Sequence, residues 1–147
     1  MSGRILAALG LALLGVIGCS AMLLRNWPLI NVVETGHTPE YPDVIPRLYQ
    51  ATEDRVFDAA LHAVNRLPRW SVVRYNETKG EVQAEARTLA LRFVDDVMIH
   101  IAEQGGATTV HVKSASRVGR GDFGQNARNI RAFFAELDTQ MHNGVTH

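Results

Sequence analysis

Hydrophobic positions follow three different patterns along this chain: an unbroken apolar run, a helical period, and strict alternation. The run comes first. Ile5–Leu24 (ILAALGLALLGVIGCSAMLL) carries no charged residue over twenty positions, and a helix of that length rises about 30 Å, the thickness of a bilayer's hydrocarbon core. The helical period appears at Val56, Phe57, Ala60, Leu61, Val64 and Leu67, with Thr52 placed as N-cap, Glu53 and Asp54 in the first turn, and Pro68 as the stop. A short strand over Arg47–Ala51 is expected before that helix. After it, Trp70–Tyr75 is rich in β-formers and Asn76–Gly80 reads as a turn. Glu81–Arg87 alternates with Val82, Ala84 and Ala86 on one face, and Phe93–Glu103 alternates with Val97, Ile99 and Ile101 inward. Gly105-Gly106 predicts a two-residue hairpin turn into a last strand that contributes Val110 and Val112. A final helix is predicted over Gln125–Asp138, opened by the Asp122…Gln125 capping pattern and striped by Phe123, Ala127, Ile130, Phe134 and Leu137. The pattern predicts an α+β fold: a β-α-β-β-β-β-α antiparallel sheet with two helices packed on one face, preceded by one N-terminal transmembrane helix.

The expected organisation is a membrane anchor over 1–25, an extended proline-rich tether over 26–46, the α+β domain over 47–140, and a flexible tail over 141–147. The tether follows from Pro28, Pro39, Pro42 and Pro46, together with Gly36. Arg4 and Arg25 bracket the apolar run, and Trp27 stands where an interfacial aromatic would. The same letters admit two other readings. Val16-Ile17-Gly18-Cys19 resembles a lipobox, which makes Cys19 a candidate for lipidation, although Ser20–Leu24 then stays apolar where a polar tether would begin. A cleaved signal peptide is the third. The amino terminus and Arg4 against Arg25 favour an inside N-terminus, which places the domain outside the cytoplasm.

Composition adds two constraints. Cys19 is the only cysteine, so the folded part holds no thiol for a disulfide or a thiolate metal site. Formal net charge is +0, but acids crowd Glu34–Asp58 (Glu34, Glu40, Asp43, Glu53, Asp54, Asp58) and bases crowd Lys113–Arg131 (Lys113, Arg117, Arg120, Arg128, Arg131). The expected result is a dipolar domain with solvated or mutually paired ends; a basic surface for phosphate or lipid headgroups is the alternative. A neutral balance and no aromatic platform among those bases exclude a nucleic-acid surface.

Candidate chemistry is sparse. Asp95 and Asp96 are neighbours on a strand and point to opposite faces, so they cannot act as an acid/base pair. If Gly105 and Gly106 form the turn, Asp95 sits opposite Ser116, one residue from Arg117, and a salt bridge from one aspartate to Arg117 is expected to hold the glycine-rich turn. The same register sets His100 opposite His111 on the face away from the helices; two imidazoles fall short of a zinc site, and no metal or cofactor is expected. No histidine stands with a serine or with Cys19 in a nucleophilic arrangement. Ser114–Asn126 is glycine-rich and leads into a helix, as anion-cradling loops do, which makes Arg117, Arg120, Asn126 and Arg128 candidates for an anion or a partner. It lacks the Gly-Lys-Ser/Thr of a nucleotide loop.

Ser114-Ala-Ser-Arg-Val-Gly-Arg-Gly-Asp-Phe-Gly-Gln-Asn-Ala-Arg-Asn-Ile130, preceded by Phe93-Val-Asp-Asp-Val97, resembles the hallmark of the domain-of-unknown-function family 1499 (DUF1499) over about Asn31–Asp138. The positions that match are Ser114, Ala115, Ser116, Arg117, Gly119, Asp122, Gly124, Asn126 and Arg128, with Asp95 and Asp96 beside them. Val97-Met98 departs from the glutamate many members carry there. The resemblance implies a membrane-associated or exported domain and supplies no catalytic residues. The expectation is therefore an envelope module at a bacterial cytoplasmic membrane, touching the bilayer through residues 5–24 and binding a protein or lipid partner without catalysis. A carrier of a small apolar or anionic ligand is the second reading, and an enzyme the third.

Overall fold

The computed structural model describes residues 30–89, 92–119, 121 and 123–143. The expected anchor, Cys19 and residues 144–147 lie outside the described residues, as do Arg120 and Asp122. Among the described residues no helix is long and apolar enough to cross a membrane.

The chain runs β1 (Val32–Glu34), β2 (Arg47–Tyr49), α1 (Glu53–Arg66), β3 (Trp70–Asn76), β4 (Glu81–Arg87), β5 (Val94–Gln104), β6 (Ala107–Ser116) and α2 (Gln125–Asn143). All strands join one antiparallel sheet in the order β1-β6-β5-β4-β3, and β2 also pairs with β6. The long β5–β6 hairpin turns at Gly105-Gly106, both at positive φ, and its partners include Asp95↔Ser116 and His100↔His111 as the two-residue turn requires.

Alternation decides which face is covered. Val82, Ala84 and Ala86 of β4, Val97, Ile99 and Ile101 of β5, and Val110 and Val112 of β6 are all buried. They meet Val56, Phe57, Ala60, Ala63 and Val64 of α1 and Ile130, Phe133, Phe134 and Leu137 of α2. Trp70 stacks on Phe133 at 6.4 Å, tying the sheet edge to α2. The helix stripe differs from expectation at both ends. Phe123 precedes α2 and is 62% exposed, whereas Phe133 carries the burial. The helix also continues to Asn143, past the expected end at Asp138, with Met141 still packed on the core.

One helix start signal acts differently from the sequence expectation. Thr52 occupies the N-cap of α1 but makes no side-chain cap bond. Glu103 at the end of β5 does so instead: its carboxylate accepts the Glu53 amide at 3.1 Å, and the Glu53 carboxylate accepts the Glu103 amide at 3.2 Å. Between β3 and β4 a short 3-10 turn over Glu77–Lys79 ends at Gly80, whose φ is 61°. A Cβ there would lie 1.9 Å from the Ile101 carbonyl oxygen, so the turn can approach β5 only with glycine.

The segment expected as an extended tether over 26–46 is, from Asn31 on, part of the domain. β1 pairs with the end of β6, Val33 is fully buried, and Val44 is 4% exposed. Thr35 is buried as well and its hydroxyl accepts the Val112 amide at 3.1 Å. Turns through Gly36 and Tyr41 carry the prolines around the sheet edge, and Arg131 of α2 clamps Asp43 at 2.7 Å. A β-bonded segment this short, lying among prolines, has no alternation to reveal it. Val33→Ala is expected to cost about 2 kcal/mol of unfolding free energy in denaturant titration, while Glu40→Ala, on the exposed part of the same segment, stays within about 0.5 kcal/mol of the parent.

Candidate functional site

The inner face of the sheet is apolar along most of its length and turns polar at one end. There β5 and β6 direct Asp95, Ser114 and Ser116 toward the helices, and Asp95 is 1% exposed. A carboxyl group removed from water needs donors. The first turns of α2 supply them: Asn129 Nδ2 donates to Asp95 at 2.8 Å and to the Ser114 hydroxyl at 3.2 Å. Ser114 donates in turn to Asn126 Oδ1 at 2.6 Å, and Asn126 Nδ2 reaches the Ser116 hydroxyl and the Asn31 carbonyl, each at 2.9 Å. Gln125 closes the set by donating to Asn129 Oδ1 at 2.8 Å. The serines and Asn126 of the expected motif thus belong to a buried network that fastens α2 and β1 to the sheet.

Asp96, one residue on, faces the opposite side. Its carboxylate receives Arg117 through Nε at 2.9 Å and Nη2 at 2.6 Å, and Nη2 also reaches Glu85 at 2.6 Å. Glu85 and Asp96 are direct cross-strand partners, so two like charges would repel without the guanidinium between them. The hydrogen bonds to Asp96 and then to Glu85 hold the Arg117 pKa above its ordinary value. The expected bridge from an aspartate to Arg117 is present, with Asp96 as the partner. Arg117 is thereby committed to an ion-pair cluster on the outer face, away from the candidate anion site it was expected to serve.

Below the glycine-rich connection lies a cleft of about 430 Å³. Asp95 and Ser116 form its floor, Phe93, Val118 and Phe123 its apolar walls, and Gln125 and Arg128 its helical side. Arg128 is held by the Phe123 carbonyl at 2.9 Å and the Gln125 side chain at 3.0 Å. Gly119 and Gly124 have φ of 93° and 75° and turn the chain over the cleft. Phe123 adopts φ of 50° and Arg92, beside Phe93, 52°. Each such left-handed non-glycine residue costs about 1 kcal/mol, and two of them flank this cleft.

His100 and His111 stand opposite each other on the uncovered face, with Glu81 next to His100. Among the described residues no group of three or more histidine, cysteine or acidic side chains is arranged to hold a metal ion. The sequence reading missed Asn31 and Asn129. The signal for Asn129 was available: it follows Asn126 by three positions, so both amides lie on one face of α2, opposite inward-facing serines.

Two outcomes check the division of roles. Asn129→Ala strands Asp95 and is expected to cost about 3 kcal/mol in chemical denaturation, part of which Asp95→Asn recovers in the double variant. Arg117→Ala leaves Glu85 against Asp96 and is expected to lower Tm by calorimetry.

A family model described as "Protein of unknown function (DUF1499)" matches residues 23–137. No curated protein gives a significant sequence match. Among solved structures, TTHA0849 from Thermus thermophilus is 11% identical, with a TM-score of 0.42 over 77% of this chain and 98% of that one. CV1439 from Chromobacterium violaceum is 10% identical, with a TM-score of 0.36 over 75% and 93%. Ara h 8.0201 is 12% identical, with a TM-score of 0.35 over 76% and 97%. With TM-scores below 0.5, these likenesses bear on neither the ligand nor the activity of this chain. The family match spans most of the sequence and includes the whole polar network, and the chain belongs to the DUF1499 family.

Proposed function

We propose that this protein is a non-enzymatic binding domain of the bacterial envelope, held at the membrane by residues 5–24, and that its binding site is the cleft beneath the glycine-rich connection. The cleft carries the reading. Its volume of about 430 Å³ lies in the range of small-ligand sites, roughly 300–1,000 Å³, and its walls are apolar with few polar groups. Those polar groups have structural partners already: Asp95 accepts Asn129, Ser116 accepts Asn126, and Arg128 is bonded to Phe123 and Gln125. A site of this kind suits an apolar chain with a small polar or anionic end better than it suits proton transfer, which needs a base aimed at a substrate. Carriage of a small apolar or anionic ligand is the second reading, favoured by the same volume.

The test uses the full chain in membranes and a fatty acid bearing a photoreactive diazirine. Crosslinks are expected in peptides covering 88–96 and 116–125. Val118→Trp, which narrows the cleft from its exposed wall, is expected to abolish those to Asp95 and Gln125. Labelling spread along α1 and α2 and unchanged by Val118→Trp would contradict a cleft site.

A further inference from the structure

The outer rim of this cleft is more apolar than its surroundings require. Leu89 is 77% exposed, Phe123 62%, Val118 57% and Phe93 42%, and all four lie on the two connections that meet at this end of the sheet. The Arg117 amide stitches one connection to the other by donating to the Val94 carbonyl at 3.2 Å, and the Thr88 amide closes the β4–β5 connection on the Phe93 carbonyl at 2.9 Å. A cluster of exposed large side chains rimmed by polar groups marks a surface that meets something else.

The path of the chain says what that is. The fold begins at this same end: Asn31 Nδ2 donates to the Gly119 carbonyl at 3.1 Å, and the Ser116 amide donates to the Asn31 carbonyl at 2.8 Å. From Leu24, the last residue of the uncharged run, to Asn31 is seven residues, which reach at most about 25 Å even when fully extended. The opposite end of the sheet lies a whole strand away; β5 has 11 residues and is therefore about 35 Å long. If residues 5–24 span a bilayer, the cleft end is the end kept beside it.

Charge agrees with that placement. At the cleft end Arg69, Arg92 and Arg128 are exposed, while Asp95 is buried and Asp96 and Glu85 are tied to Arg117. At the far end Glu53, Asp54, Glu77, Glu81 and Glu103 stand against Arg55 and Lys79, so acids outnumber bases there. A basic, apolar-rimmed end facing anionic headgroups is the favourable orientation, and the reverse is repulsive.

We propose that the cleft end docks on the bilayer holding residues 5–24, with Leu89, Phe93, Val118 and Phe123 seated at the headgroup–acyl boundary, so that the cleft opens onto lipid. The proposal rests on the anchor reading above and adds an orientation and a ligand source to it: the bilayer's own lipids.

The experiment uses the full chain in vesicles of phosphatidylcholine and phosphatidylglycerol. Cys19→Ser removes the native thiol, and either Phe123→Cys or Gln104→Cys carries an environment-sensitive fluorophore. Both positions are exposed, so neither substitution disturbs the core. Brominated acyl chains quench only a label that touches the bilayer. Quenching severalfold stronger at 123 than at 104, and weaker when phosphatidylglycerol is left out, is the expected result. Equal, weak quenching at both positions in a chain that stays with the vesicles overturns docking and leaves the anchor standing. A label at 123 shielded from water but untouched by bromine puts another protein surface over the rim and also overturns docking. A chain that stays in the supernatant overturns both.

Discussion

A carboxyl group buried at the polar end of the sheet must be hydrogen-bonded, and the rest of this structure is arranged around meeting that requirement. Asp95 takes its donor from Asn129, Asn129 and Asn126 share Ser114, and Asn126 reaches on to Ser116 and the Asn31 backbone. One connected set of bonds thus fixes where α2 starts, where β1 joins the sheet, and how the chain enters and leaves the glycine-rich connection. Removing a member leaves a buried polar atom without its partner, which costs more than the bond itself is worth.

That network explains why a motif rich in serine, asparagine and aspartate need not carry chemistry. Its polar atoms are occupied with one another. Beside it, Arg117 neutralises the facing carboxylates of Asp96 and Glu85 on the outer side of the sheet, so the two faces of one end are held by different forces: hydrogen bonding within and ion pairing without. Around the cleft the rigid frame leaves Phe93, Val118 and Phe123 exposed, two of them at or beside left-handed non-glycine backbone. Strain retained at an exposed aromatic points to use of that aromatic.

Much of this was legible in the letters because a two-residue turn fixes register. With Gly105-Gly106 placed, the pairing of Asp95 with Ser116 and of His100 with His111 follows, as does the separation of Asp95 from Asp96 onto opposite faces. The α+β class and the covered face follow from alternation in β4, β5 and β6. β1 was not legible, since three residues among prolines show no period, and its role comes from pairing with a distant strand. The choice of Asp96 over Asp95 for Arg117 was open for a related reason: it depends on which face the chain takes after leaving the last strand. Phe123 read as a helix residue because it lies on the apolar stripe, yet Gly124 at positive φ separates it from α2.

The buried network, and not the glycine-rich connection, holds the start of α2 to the sheet. Amide hydrogen exchange on the full chain can separate the two. Amides at 95–97 and 128–130 are expected to exchange together, at the slow rate set by global unfolding, while those of Val118 and Gly119, which lie exposed on the connection, exchange orders of magnitude faster. Exchange of 128–130 at the rate of the connection would sink this reading, because the first turns of α2 would then open while the sheet beneath stays closed.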